Sequence, residues 1–456
     1  MRTLHPLLMA IALSAVCDAA AADRTAETPG DKPIALSLKP ERATTAYRVQ
    51  GDQPIEHPMG DGLSLAGQRF AIRTTDKGML EIDLAGDGKF AAVRAGPLTV
   101  ALGQSGDKRR AKIDLFVTRG SNGAWSYRTI TRLRGQLGDT QVAIVDVDGD
   151  GVFNEPGVDA MAIGEGEYAF PLPDAGERWC TATLDVTGLA FGPMGEQPTL
   201  VGKPLTTTIP EAMPVLTGIN EERLKAGLTP RPENTVLSAP LQKHIAYMVG
   251  TGTLAHPEQA GSPNYSADGH DAGMNSILSM GNPAPGVAAG MVATFYHRQD
   301  VVRPDTRGFG VGYGGRFGGI DGRRALAGQP RWPVIIPVPD QSAVPTRFAH
   351  ESPDPIGGDR EAGFPITAYF GTDALTMNTW KLELLDKSGP KSIDCYVFDG
   401  KVGGDVSFNR YQRVAGLIAK DPLQSASLYR VSMTVDVAGT PWTKTWQFST
   451  DGYKTK

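Results

Sequence analysis

The 456-residue chain is poor in cysteine, histidine, net charge and long apolar runs, and each shortage removes a class of protein. Of its three cysteines only Cys180 and Cys395 lie beyond the N-terminal segment, too few for a disulfide-dense scaffold or a cysteine zinc cluster. These two are 215 positions apart and are expected as separate buried thiols. After the N-terminal segment no stretch approaches the run of about eighteen apolar residues that spans a bilayer, so no transmembrane span is expected. A formal charge of −5 offers neither a polybasic anchor nor a nucleic-acid face, and no nucleic-acid partner is expected.

Glycine (55) and proline (34) are abundant instead. With 40% hydrophobic and 21% charged residues, they describe a soluble, β-rich chain of about two to four domains joined by loops. Residues 1–22 read as a signal peptide: Arg2 supplies the positive end, residues 4–16 the apolar stretch, and residues 19–22 small residues for cleavage. Secretion, or export to a periplasm, is the expectation. Cys17 fits a lipid-attachment box poorly, because Val16 precedes it and Ser14 stands three before it.

Residues 23–60 read as a polar, flexible leader. Over residues 61–190, alternating runs such as FAIRTT, LTVALG, AKIDLFVTRG and TQVAIVDV are broken by Gly and Asp turns, which predicts an all-β domain. Inside it, Asp146, Asp148 and Asp150 alternate ahead of Gly151, with Val152, Asn154 and Asp159 following. That spacing wraps hard oxygen ligands around Ca²⁺: the glycine permits the sharp turn, and Val152 offers its carbonyl. The twelfth position is Gly157 in place of Glu, leaving Asp159 or Glu155 to close the shell. The flanks read as strands, so a calcium ion here would be structural. The alternative is an acidic hairpin turn without an ion.

Residues 191–214 read as a linker. Helix signals follow at Asn220, Arg223, Leu224 and Leu228, ended by Pro230 and Pro232. A second helix is predicted near residues 237–250, where Leu241, Ile245 and Met248 recur at helical spacing and His244 falls beside them. Of seven histidines, five (His244, His256, His270, His297 and His350) lie in or beside residues 220–319.

The motifs NEERxxxGL, LSxxLQKHxxYM, GTLxHPE, YSxDGxxAG and YHRxxxxxPxxxGFGxGY, in that order, resemble the CAP domain of cysteine-rich secretory and related proteins in its bacterial form. The resemblance covers residues 215–322. It implies an α-β-α sandwich with a cleft holding two His and two acidic residues. On that basis His256 matches the family histidine after the second helix, Glu258 is its acidic neighbour, and His297 matches a structural position. The family's Gly-Glu-Asn stretch has Met274 where the Glu belongs, and no counterpart of the second tetrad histidine occurs in residues 308–319. The implied metal site is therefore half absent.

Taken on the residues alone, His244, His256, Glu258, His270, Asp271 and His297 could still share one cleft. Imidazoles and a carboxylate suit Zn²⁺, and His256, Glu258 and His270 could serve as general acid and base. The plainer reading has each histidine bonding backbone. The glycine-rich GFGVGYGGRFGG lacks the Lys-Ser/Thr of a phosphate loop, and its alternation fits a strand closely approached by another backbone.

Residues 323–363 carry many prolines and read as a semi-rigid spacer. Residues 364–456 return to strands separated by turns at the intervals of an immunoglobulin-like sandwich, with Tyr429, Val431, Met433 and Val435 on one face. Trp380, Trp442 and Trp446 are expected in its core, with sugar stacking as the alternative. The expected fold is multidomain α+β. The expected function is non-catalytic binding of a small molecule, lipid, glycan or protein at the cell envelope or outside. A metal-dependent hydrolase and a purely structural envelope protein are the alternatives.

Overall fold

In the computed structural model the described residues are 32–43, 48–49, 56–103, 111–164, 168–324, 333–358, 360–371, 375–398 and 413–453. The expected signal peptide and Cys17 lie outside them. Among the described residues no helix is long and apolar enough to cross a membrane.

The N-terminal half is a set of mainly antiparallel sheets, with one parallel pair between Tyr168–Pro171 and Arg48–Val49. The largest sheet has six strands, in the order Lys39–Arg42, Thr131–Leu137, Thr140–Val145, Ala160–Ile163, Tyr168–Pro171 and Arg48–Val49. Alternation carries through as expected. Along Lys112–Arg119 the inward Ile113, Leu115 and Val117 are all fully buried, because successive side chains of a strand leave opposite faces. The leader and first linker are more ordered than composition suggests. Lys39–Arg42 pairs with Thr131–Leu137, and Thr199–Pro204 pairs with both Leu184–Ala190 and Lys32–Pro33. The polar side chains of Lys39–Arg42 conceal this, since an edge strand is held by backbone bonds whatever its side chains.

The central region has five helices: α1 (Met213–Lys225), α2 (Thr235–Thr251), α3 (Ala267–Asn275), α4 (Val287–Val292) and α5 (Arg298–Val301). α1 starts earlier than its charged residues suggest. Pro214 occupies its first turn, where a missing N–H breaks no helical bond. α2 ends on Gly252, whose φ of 69° is the left-handed conformation that closes a helix. Between the helices lies a three-stranded sheet in the order Ile277–Met280, Phe317–Asp321, Gly310–Gly314.

The glycine-rich stretch forms the hairpin of that sheet, and what approaches it is a helix. A Cβ on Gly310 would stand 2.6 Å from Leu237 Cβ, and one on Gly312 would stand 2.9 Å from Ile245 Cγ1. Glycine therefore lets α2 settle onto the backbone. On the opposite face Ile277, Val311 and Ile320 pack with α1 and α4 through Val215, Leu216 and Val287.

Within the stretch read as a semi-rigid spacer, Val334–Ile336 pairs with Ile366–Tyr369 and Gln341–Val344 pairs with Thr440–Thr450. Both extend the C-terminal sheets, one of four strands and one of five. Tyr429, Val431, Met433 and Val435 are buried between them, and Trp446 is buried with its indole N–H donating to Pro337 O at 3.1 Å. Trp442 packs edge-on against Phe370, and Trp380 is 37% exposed. Cys180 and Cys395 are both buried and free. One hydrophobic core runs from α1 and α4 through the central sheet into these C-terminal strands.

Candidate functional site

The histidine-rich centre separates into an inner network and a cleft. In the inner network His244, projecting from α2, is wholly buried. Its Nδ1 lies 3.0 Å from Glu258 Oε1 and its Nε2 lies 2.9 Å from Ala255 O. Glu258 Oε2 accepts Ser266 N–H at 2.8 Å, and Glu258 N–H donates to His270 Nδ1 at 3.0 Å. Ser266 also caps α3 by accepting Gly269 N–H. These bonds tie the loop after α2 to the start of α3. Gly269 and Gly273 make the approach possible, since a Cβ at either would stand within 2.6 Å of Glu258 Oε1 or the His244 ring. Asp271 lies apart on the surface, paired with Arg324 at 2.7 Å.

The cleft encloses about 520 Å³ and runs past Leu254, His256, Leu278, Met280, His297 and Glu351. His256 Nδ1 lies 2.8 Å from Gly273 O. A carbonyl only accepts, so Nδ1 carries the proton, and in the neutral ring Nε2 is then an acceptor. Burial, with His297, Arg323 and His244 nearby, holds the His256 pKa below its ordinary value, while the Gly273 carbonyl opposes that shift. The ring is thus kept neutral.

His297 is fixed in the same sense by a different partner. Its Nδ1 meets Glu351 Oε2 at 2.7 Å, and Glu351 also accepts the backbone N–H groups of Phe295, Tyr296 and His297 at 2.6–3.1 Å. The Glu351 side chain is only 1% exposed. A buried carboxylate surrounded by donors holds both the ring and the turn before α5. Next to it, Arg298 is buried and donates to Thr294 O and, across to the C-terminal sheet, to Pro365 O at 2.6 Å. Neither His256 Nε2 nor His297 Nε2 meets a protein partner among the described residues, and neither is enclosed away from solvent. Two imidazole Nε2 atoms therefore face one cavity, and that of the neutral His256 is an acceptor.

Sequence reasoning named both histidines and missed Glu351. The carboxylate lies 54 positions after His297, inside the stretch read as a spacer, and no local pattern marks it.

The acidic loop joins the paired strands Thr140–Val145 and Ala160–Ile163. Carboxylate oxygens of Asp146, Asp148 and Asp159 lie within 4.8 Å of one another, as do those of Asp148, Asp150 and Glu155. Among the described residues these are the only such groups of three, and none forms around the histidines. Asp146 accepts the N–H groups of Gly149 and Gly151, and Asp150 accepts that of Val152. Asn154 donates to Phe191 O. Burial, reinforced by Asp159, pushes the Asp146 pKa up to about 8, and burial pushes Asp159 up to about 7.

Neither a family model nor a curated protein matches the chain. Among solved structures it is similar to an extracellular protein containing a SCP domain from Bacillus anthracis, at 15% identity and a TM-score of 0.21, over 46% of this chain and 84% of that one. It is also similar to a cysteine-rich secretory protein from Staphylococcus aureus, at 11% identity and a TM-score of 0.19, over 46% of this chain and 82% of that one.

Proposed function

We propose that this is an exported CAP-like protein, with an immunoglobulin-like C-terminal unit, that binds a ligand in the His256–His297 cleft without turning it over. The observation that carries this is the pair of imidazoles, each fixed through its Nδ1, that line one cavity. His256 Nε2 presents an acceptor to a hydrogen-bond donor of the ligand, and His297 Nε2 faces the same space. Of the three residues that would have served as acid and base for hydrolysis, Glu258 gives its carboxylate to His244 and Ser266 and His270 accepts the Glu258 backbone N–H, so only His256 lines the cleft. The ordered motifs in residues 215–322 support the CAP reading, and the N-terminal segment supports export.

The test exposes the full chain to three probes: a chito-oligosaccharide, a phosphatidylcholine vesicle and a set of short peptides. One class is expected to bind. His256→Ala and His297→Ala should each weaken it about tenfold, the loss of a buried hydrogen bond. Because His256 is held neutral, binding should persist down to about pH 6.5, the ordinary histidine value, and fail only below it. Turnover of a fluorogenic ester, peptide or glycoside that is abolished in His256→Ala would replace binding with hydrolysis.

We also propose that the acidic loop holds a structural Ca²⁺. Two buried carboxylates, Asp146 and Asp159, lie beside Asp148, and among the described residues no Lys or Arg ion pair offsets their charge. A divalent cation supplies that offset and suits their hard oxygens. Calcium should raise the unfolding midpoint over that in chelator, with about 2.7 kcal/mol gained at a hundredfold excess over Kd. Asp159→Asn should remove the rise, and an unchanged midpoint in wild type would exclude the ion.

A further inference from the structure

The central sheet has two edges, and the chain treats them differently. Along Gly310–Gly314 the outward backbone groups are capped by side chains of α2. Val311 N–H donates to Ser238 Oγ at 3.0 Å and Tyr313 N–H to Gln242 Oε1 at 3.0 Å, while Tyr313 O accepts Gln242 Nε2 at 3.1 Å. No strand can add there.

The opposite edge, Ile277–Met280, has no such cap. Its register pairs Ile277 with Ile320, Leu278 with Gly319, Ser279 with Gly318 and Met280 with Phe317, and Gly281 N–H donates to Arg316 O at 2.8 Å. In an antiparallel ladder the bonded residues alternate. Counting back from Gly281, Ser279 and Ile277 turn their backbone groups toward the neighbouring strand, and Leu278 and Met280 turn theirs outward. Among the described residues nothing pairs with those outward groups. Leu278, Ser279 and Met280 all line the cleft. Successive side chains point to opposite faces, so three consecutive residues line one cavity only where it runs along the strand's edge.

We infer that the cleft's ligand is an extended peptide segment that adds as a fourth strand along Ile277–Met280. This rests on the binding role proposed for the His256–His297 cleft and assigns that role a ligand class. The outward N–H and C=O of Leu278 and Met280 recur every second residue, about 6.6 Å apart, which is the spacing an extended backbone offers and a sugar chain does not. Leu254 and Met280, 40% and 45% exposed, provide apolar contact at the rim. His256 would accept from a Ser, Thr, Asn or Lys side chain of the segment, with His297 Nε2 facing the same cavity. Unpaired edge groups beside a cavity are a template for this kind of addition.

The test uses the full chain and a library of synthetic hexapeptides with Ser, Thr, Asn or Lys between apolar residues, read by fluorescence polarisation. The tightest peptide is then N-methylated one amide at a time. Methylation at alternate positions should weaken binding about tenfold, and methylation between them should change it less than twofold. Met280→Pro, which deletes an outward N–H that no described residue uses, should bind about tenfold more weakly than Met280→Ala, which keeps it. A flat methylation scan, equal affinities for the two variants, or a library without binders overturns strand addition. Should Met280→Pro unfold by circular dichroism, the methylation scan on wild type decides alone. If the oligosaccharide or the vesicle binds in a His256-dependent way and no peptide does, strand addition falls and the binding role stands. If no probe binds, both fall.

Discussion

Glu351 shows how much one side chain can organise. A single carboxylate, almost fully enclosed, accepts three backbone N–H groups and an imidazole proton. Removing it leaves several donors facing a space without an acceptor, and an unsatisfied buried polar group costs about 1–3 kcal/mol. Glu351→Ala should therefore lower unfolding free energy by about 2–3 kcal/mol in a denaturant titration. It should also free His297 to take either tautomer, which ¹⁵N shifts of the ring nitrogens report. A loss of stability with His297 still protonated only at Nδ1 would show that the carboxylate supports the turn but does not set the ring. His256 needs no such partner from afar, because Gly273, seventeen positions on, fixes it from the adjoining helix.

Among the elements, the glycine hairpin decides where α2 can lie. Gly310 meets both Leu237 Cβ and the Leu237 carbonyl carbon, at 2.6 and 3.0 Å from a built Cβ, and backbone cannot swing aside as a long side chain can. Its φ is not in the left-handed region, so an added methyl acts through packing alone. Gly310→Ala should cost about 1–3 kcal/mol, the usual penalty of overpacking. A thermal midpoint unchanged within error would mean that the helix lifts off freely. The same close approach brings Ser238 and Gln242 onto the sheet edge, so the residues that seat α2 also close one of the two edges. The other edge stays open beside the cleft.

Across the whole molecule, the regions that composition divides are joined. Arg231, near the start of the central region, pairs with Glu177 and donates to Arg178 O in the N-terminal sheets, and Cys180 N–H donates to Pro230 O. Arg298 reaches into the C-terminal sheet. The calcium measurement carries a second signature at this scale. In chelator, Asp146 and Asp159 titrate near 8 and 7 when folded and near 3.9 when unfolded. The native state then binds more protons between about pH 4 and 8, so stability falls as pH rises through that window. Bound calcium favours the ionised carboxylates and should flatten or reverse the slope. A chelated protein whose stability rises steadily from pH 5 to 8 would contradict this burial of charge.

Two-residue alternation made the strands of residues 61–190 and the C-terminal strand faces legible, because burying one face of a pleated sheet writes itself into neighbouring residues. Helical spacing marked the inward face of α2 for the same reason. The alternating aspartates were equally local. The edge strands within residues 32–42 and 341–344 left no such trace, since backbone bonds at a sheet edge place little demand on side chains. The sequence by itself determined the alternating strands of residues 61–190 and 364–456 and the helical face of α2, and named His256 and His297. Only the tertiary structure decided that these two share a cleft while His244, Glu258 and His270 face inward, that Glu351 serves the cleft from a distant segment, and that one edge of the central sheet stays open. Those are long-range juxtapositions, fixed by which surfaces pack together and recorded in no local spacing of residues.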